Sequence, residues 1–162
     1  MDRDEDMLAA WRSFLHGHLV LTGVLSREME TETGLPLTWY DVLLNLNEAG
    51  GRLRMQELAR SIVLSKSGLT RLVDRMVTAG YLAREPAEGD RRGLLAVLTP
   101  AGKNALRAAA PVHLRGIEQH FGRHVTPEEA TVVRAVFDRV RNALGEQCDA
   151  AIGVDCEGED AP

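Results

Sequence analysis

Residues 65–80, SKSGLTRLVDRMVTAG, have the apolar spacing of an amphipathic α-helix. Ser65 is expected to be the N-cap, because its hydroxyl can accept a hydrogen bond from an unpaired amide of the first turn. Gly80 is expected to end the helix in the left-handed conformation that favours glycine. Five apolar residues at i, i+3, i+4, i+7 and i+8 form one stripe that predicts a buried face: Leu69, Leu72, Val73, Met76 and Val77.

The opposite face of this predicted helix is polar and carries several groups that can bind nucleic acid. Arginine can donate two hydrogen bonds to guanine, and serine or threonine can contact bases or phosphates in the major groove. The alternative is an ordinary solvated helix face, and the helix alone does not distinguish the two. The polar residues are Lys66, Ser67, Thr70, Arg71, Asp74, Arg75 and Thr78.

The neighbouring segments favour the nucleic-acid interpretation. Residues 55–62 predict a short helix that a tight turn connects to the first, which is a helix-turn-helix. Residues 81–85 and 94–98 alternate like strands and flank PAEGDRRG, so a hairpin wing follows. We expect Arg91 and Arg92 at its tip to enter a minor groove, and Arg54 and Gln56 to face phosphates.

The remaining segments predict helices. Residues 6–32 have an apolar stripe wide enough for burial on two sides, as in a helix shared with a partner subunit. Thr38 with Asp41 predicts a capping box for the second helix. Thr99, followed by Pro100, and Thr126, with Glu129, predict the starts of two later helices. The last helix has an inward stripe of Val133, Val136, Val140 and Leu144, flanked by Phe137.

The expected fold is therefore mainly α with a small β wing, namely a winged helix-turn-helix plus a helical dimerisation region. Residues 1–36 are predicted to form an N-terminal dimerisation helix and residues 37–98 the DNA-binding domain. Residues 99–147 would form the C-terminal helices. Residues 148–162, which are acidic and contain glycine, are predicted to be a disordered tail.

Charge is distributed unevenly along the chain. The formal net charge is −5, but positions 52–92 hold nine basic and five acidic residues, a local charge of +4, so the rest carries −9. The local field at a binding face matters more to DNA than the total charge. No apolar run has the length of a membrane span and the N-terminus is unlike a signal peptide, so we expect a cytoplasmic protein without a membrane partner. Cys148 and Cys156 are interpreted as incidental thiols.

Three segments in register resemble the multiple-antibiotic-resistance regulator (MarR) family of winged-helix transcription factors: LARSIVLSKSGLTRLVDRMVTAGYLAR, EGDRRG and LTPAG. The resemblance covers residues 8–145. It implies an obligate homodimer, in which residues 99–147 form C-terminal dimerisation helices, on a pseudo-palindromic double-stranded operator. More specifically, it implies a repressor that a small effector, often phenolic or aromatic, releases. It also implies that Asp90 braces a wing arginine, and that the effector sits between the dimerisation helices and the winged region.

Candidate effector-binding residues are Trp11, His16, Tyr40, Asp41 and His113, each of which also has an ordinary structural explanation. His120 and His124 are four residues apart, a spacing that can hold zinc on a helix, so a metal-responsive repressor is an alternative. A winged-helix dimerisation module that binds protein is another. The sequence has no hydrolase, phosphate-loop or metalloprotease motif, so we expect neither an enzyme nor a cofactor.

Overall fold

The computed structural model describes residues 3–62, 66–87 and 90–151. It confirms the predicted fold class, because helices dominate and a small antiparallel sheet lies between them. None of the helices in these ranges is long and apolar enough to cross a membrane. In chain order the elements are α1 (Arg3–Thr33), α2 (Leu37–Glu48), β1 (Arg52–Arg54), α3 (Met55–Ser61), α4 (Lys66–Thr78), β2 (Leu82–Ala87), β3 (Asp90–Leu98), α5 (Pro100–His120), a 3₁₀ turn (Gly122–His124) and α6 (Pro127–Ala151).

The apolar stripe of α4 is buried as predicted. Leu69, Leu72, Val73 and Met76 are each almost inaccessible and pack in one core with side chains of α2 and α3. Gly80 ends the helix with a φ of +80°. Its amide donates to the Val77 carbonyl and the next amide donates to the Met76 carbonyl, which satisfies two carbonyls at the helix end. Burial of one face fixes which face of α4 remains accessible.

The three strands form an antiparallel sheet in the order β1-β3-β2. The hairpin strands are longer than predicted, and Asp90, Arg91 and Arg92 belong to β3 rather than to the connecting loop. Pairing extends past Pro86, which lies opposite Leu94, with a register irregularity before Ala87. Proline is tolerated there because β2 is an edge strand, where one missing amide costs no interior ladder bond. The wing therefore begins its return strand earlier than the turn residues indicated.

Local sequence signals predicted the starts of α5 and α6 but not the start of α2. Thr99 caps α5, since its hydroxyl accepts from the Gly102 amide at 3.0 Å, and the Thr126–Glu129 capping box of α6 is formed by two reciprocal bonds. The predicted capping box of Thr38 and Asp41 is wrong. Helix α2 begins at Leu37 with the Pro36 carbonyl accepting the first bonds, so Thr38 lies inside the first turn. Asp41 is thereby available for another role.

Helix α5 packs along α1, and an ion pair and a histidine–carboxylate hydrogen bond join the two helices. Arg115 donates to Glu32, and the His120 Nε2 atom lies 2.7 Å from Glu28 Oε1. Gly116 permits this approach, because a Cβ there would lie 2.6 Å from a methyl of Leu25. The two helices therefore form one connected body beside the winged region.

The backbone of α6 continues to Ala151, past the predicted boundary at residue 147, and the expectation of a disordered tail stays a prediction. Residues 152–162, with Cys156, lie outside the described residues.

Candidate functional site

The polar face of α4 is exposed to solvent along its described length. Ser67, Thr70, Arg71 and Arg75 all lie on it, opposite the buried stripe. The predicted phosphate contacts Arg54 and Gln56 are also exposed, at the junction of β1 and α3. The Arg54 amide donates to the Glu57 carboxylate at 2.9 Å. This bond stabilises the start of α3, where the arginine side chain has no acceptor atom with which to cap the helix. These groups lie on the two helices of the helix-turn-helix or, for Arg54, directly before the first of them.

The arginines of α4 border an open depression lined by Gly68, Arg71, Asp74 and Arg75. Arg71 folds back along its own helix, and its Nε donates to the Ser67 carbonyl at 3.2 Å. This hydrogen bond holds the guanidinium close to the helix surface.

An ion pair that the sequence did not reveal joins α4 to the wing. Arg84 Nη1 of β2 lies 2.7 Å from Asp74 Oδ1. Strand alternation could have indicated it, because Arg84 shares a sheet face with the buried Leu82 and must therefore point toward α4. An arginine on an inward strand position needs a partner, and only the tertiary structure identifies Asp74.

Several predicted DNA contacts concern groups that the structure does not place. Ser65 lies outside the described residues, and so do the side chains of Lys66, Asp90, Arg91 and Arg92. Their predicted roles as contacts, and that of Asp90 as a brace, stay predictions.

A second candidate site lies where α2 meets α5. The ring of Tyr40 is buried and packs on the His113 imidazole, with ring centroids 4.6 Å apart. Asp41 and His113 are half-buried and interact electrostatically. The Nδ1 atom of His113 is buried and has no hydrogen-bond partner in the described part of the chain. Three of the five predicted effector-binding residues are therefore brought together around an unsatisfied polar atom.

Burial sets the titration of this cluster. It raises the pKa of the Asp41 carboxyl, an effect that the nearby His113 partly opposes. It lowers the pKa of His113, and Asp41 partly opposes that shift. The pKa of the Tyr40 hydroxyl is raised by burial and then by the negative charges of Asp41 and Glu48. Each group is therefore biased toward its neutral form.

The other two predicted effector-binding residues lie elsewhere in the single chain. Trp11 and His16 are on the exposed first half of α1, and Trp11 is 55% exposed. The ring of Trp11 packs near the ring of Phe14. The centroid of the Phe14 ring lies 4.8 Å from that of Phe137 of α6. No contact observed in the described residues connects Trp11 or His16 to the Tyr40 cluster. They belong to the helical body.

The metal-responsive alternative does not fit the geometry. His120 is the last residue of α5, whereas His124 lies in the 3₁₀ turn, so the two are not one turn apart on a helix. His120 is also hydrogen-bonded to Glu28. In residues 3–62, 66–87 and 90–151, no three His, Cys, Asp or Glu residues are grouped to hold a metal. The helix break at Gly122 removes the spacing on which this alternative depended.

His113 makes the stability of the fold depend on pH. Because its folded-state pKa lies below the ordinary value of 6.5, the neutral ring contributes stability that is present above about pH 6.5 and lost as the pH falls through the folded-state pKa. We expect His113→Gln to weaken the decline in melting temperature over this acidic range. His16→Gln, which removes an exposed histidine, is the control. Thermal melting from pH 7.5 to 5 checks this, and equal pH profiles for all three proteins would contradict it.

Comparison with known proteins identifies relatives of this chain. A family model described as the MarR family matches residues 33–93. PecS, an HTH-type transcriptional regulator of Dickeya dadantii, is 30% identical over 107 residues, which are 65% of this chain and 64% of PecS. The chain thus matches just under two thirds of the length of that relative.

Solved structures extend the similarity to almost the whole chain. AbsC, a MarR family transcriptional regulator from Streptomyces coelicolor, is 35% identical with a TM-score of 0.80, over 90% of this chain and 97% of AbsC. Sco3205, from the same organism and solved in complex with DNA, is 31% identical with a TM-score of 0.79, over 89% of this chain and 93% of its own. The resemblance inferred from the three sequence segments is confirmed, and this chain belongs to the MarR family of transcriptional regulators.

Proposed function

We propose that the protein is a homodimeric, sequence-specific DNA-binding regulator that acts in the cytoplasm on a pseudo-palindromic operator. The observation that carries this proposal is the face of α4, where Arg71 and Arg75 are exposed opposite a stripe that is buried in the core except for the partly buried Val77. A helix of this kind can lie in a major groove while Arg54 and Gln56 approach the adjacent backbone. Its membership of a family of transcriptional regulators agrees with this role and with the expectation that it is not an enzyme.

The exposed apolar side chains support a homodimer. Residues 4–20 of α1 and almost all described side chains of α6 are exposed in the single chain, although both helices are rich in large apolar residues. Apolar patches of this extent mark interaction surfaces. A second copy covers them symmetrically and presents two α4 helices to two half-sites. The exposed residues include Met7, Leu8, Trp11, Phe14, Leu15, Leu19, Val20, Val132, Val133, Val136, Phe137, Val140 and Leu144.

The Tyr40–Asp41–His113 cluster supports regulation by a small aromatic effector. Helix α2 precedes the winged region and α5 follows it, so a ligand between them contacts both parts of the chain. The hydroxyl of a phenol bound between these helices could donate to His113 Nδ1 or to Asp41. Binding that prefers a geometry with displaced α4 helices must release DNA, because the two equilibria are linked. The protein then acts as a repressor.

Salt dependence of duplex binding tests the DNA-binding proposal. Each phosphate contact releases counterions, so the logarithm of the affinity should fall with the logarithm of salt concentration by roughly one unit per contact. A gel-shift titration on the DNA upstream of the protein's own gene measures this slope.

Phenols added in the same assay should release the duplex from the parent protein and not from His113→Leu. Absent or salt-independent binding would contradict the proposal and favour a protein-binding module.

A further inference from the structure

Asp74 occupies an unexpected place for a carboxylate. It lies on the exposed face of α4 between Arg71 and Arg75, and its side chain is 53% exposed. A carboxylate at a surface that approaches phosphates opposes binding. An ordinary helix-surface acid would pair with a basic residue three or four positions away on its own helix. Asp74 instead pairs with Arg84 of the wing strand β2, at 2.7 Å.

The surroundings of Arg84 hold its guanidinium in one place. The residue lies on the same sheet face as Leu82 and opposite Ala96, both of which are buried. Its side chain is 28% exposed, and its Nε atom is buried without a hydrogen-bond partner in the described residues. A charge in such a position is tolerated when a well-placed opposite charge compensates for the lost hydration. Asp74 is that charge.

We propose that Asp74 and Arg84 are a positioning pair that fixes α4 relative to the wing. The inference rests on the proposed DNA-binding function, which requires both elements to meet one duplex in a single register. Neither residue contacts the duplex in this account. Arg84 neutralises the carboxylate and ties it to β2, so the defined geometry offsets the unfavourable charge that Asp74 brings to the binding face.

The positioning role and simple electrostatics predict opposite results for Asp74→Asn. If the carboxylate only repels phosphates, its removal should tighten binding to every duplex. If it positions α4, binding to the preferred duplex should weaken by about fivefold or more, the effect of breaking one contact between coupled residues. Binding to an unrelated duplex should then stay the same or tighten. The ratio of the two affinities distinguishes the roles.

The experiment uses the intact chain and the duplex that it selects from a random pool. Affinities of Asp74→Asn, Arg84→Gln and the double variant form a mutant cycle, in which the double variant should be no weaker than either single one. Arg84→Lys keeps the charge and should restore most of the preference. Asp138→Asn, which breaks an exposed ion pair with Arg141 on α6, is the matched control. Circular dichroism confirms that each variant is folded.

Two results would overturn the pairing. Additive losses in the cycle would show independent roles, and a salt slope lowered by about one unit per chain in Arg84→Gln would make Arg84 a phosphate contact. An intact protein that selects no duplex would overturn the proposed function itself, and the positioning role with it. The two failures are distinguished because the first leaves the intact protein's selection and affinity unchanged.

Discussion

Replacing Val140 with aspartate is expected to produce a monomer that binds its operator at least about 100-fold more weakly, because binding of two linked half-sites is lost. Val140 lies in the middle of the apolar stripe of α6 and is 46% exposed in the single chain. A second copy would bury it, and an unpaired carboxylate in an apolar interface costs several kcal/mol of association free energy. The fold of the chain itself should persist, since Val140 is outside the core.

Ala135→Asp is the matched control for this substitution. It introduces the same charge on the same helix, five residues earlier and away from the stripe, at an exposed position. Light scattering and duplex binding should match those of the parent protein. A Val140→Asp variant that remains a dimer with unchanged affinity would show that the stripe of α6 is not the interface.

Replacing Arg71 with alanine is expected to cost about 1–3 kcal/mol in each half-site if its guanidinium contacts a base. With two half-sites, the smaller figure already corresponds to a loss of roughly 30-fold in affinity. Preference for the base at that position should also relax. The reason is geometric, because Arg71 is on the exposed face of α4 beside the depression that it lines with Arg75.

Arg139→Ala, an exposed arginine of α6, tests whether total charge alone explains such a loss. Binding isotherms on the selected duplex and on single-base variants should show a normal affinity for the control. Equal effects of the two substitutions would mean that Arg71 acts through net charge. An Arg71→Ala variant with the same duplex affinity as the parent protein would exclude Arg71 as a contact.

Local signals predicted much of this fold because they depend on neighbouring residues. The stripe of α4, the glycine turn at Gly80 and the caps at Thr99 and Thr126 involve partners within a few positions, except for the additional bonds from Thr99 to the Gly80 and Tyr81 carbonyls. The capping box at Thr38 was wrong because α2 starts two residues earlier, with Pro36 as its N-cap. Such competition between adjacent start signals is decided by packing rather than by residue preference.

Residue spacing alone predicted the site only where one element supplies it. The exposed residues of α4 follow from its buried stripe, so Arg71 and Arg75 could be named from the sequence. The pair Asp74–Arg84 joins residues of different elements, and no local spacing marks it. The same holds for Tyr40 and His113, whose rings meet across 73 positions of sequence. Contacts of this kind depend on how the elements pack.

The stoichiometry of the protein–duplex complex tests the central claim most directly. Sedimentation of the intact protein mixed with its selected duplex measures how many chains bind one site. We expect two chains on one duplex, with the selected sequence repeated about a twofold axis. A single chain on an asymmetric site would contradict it.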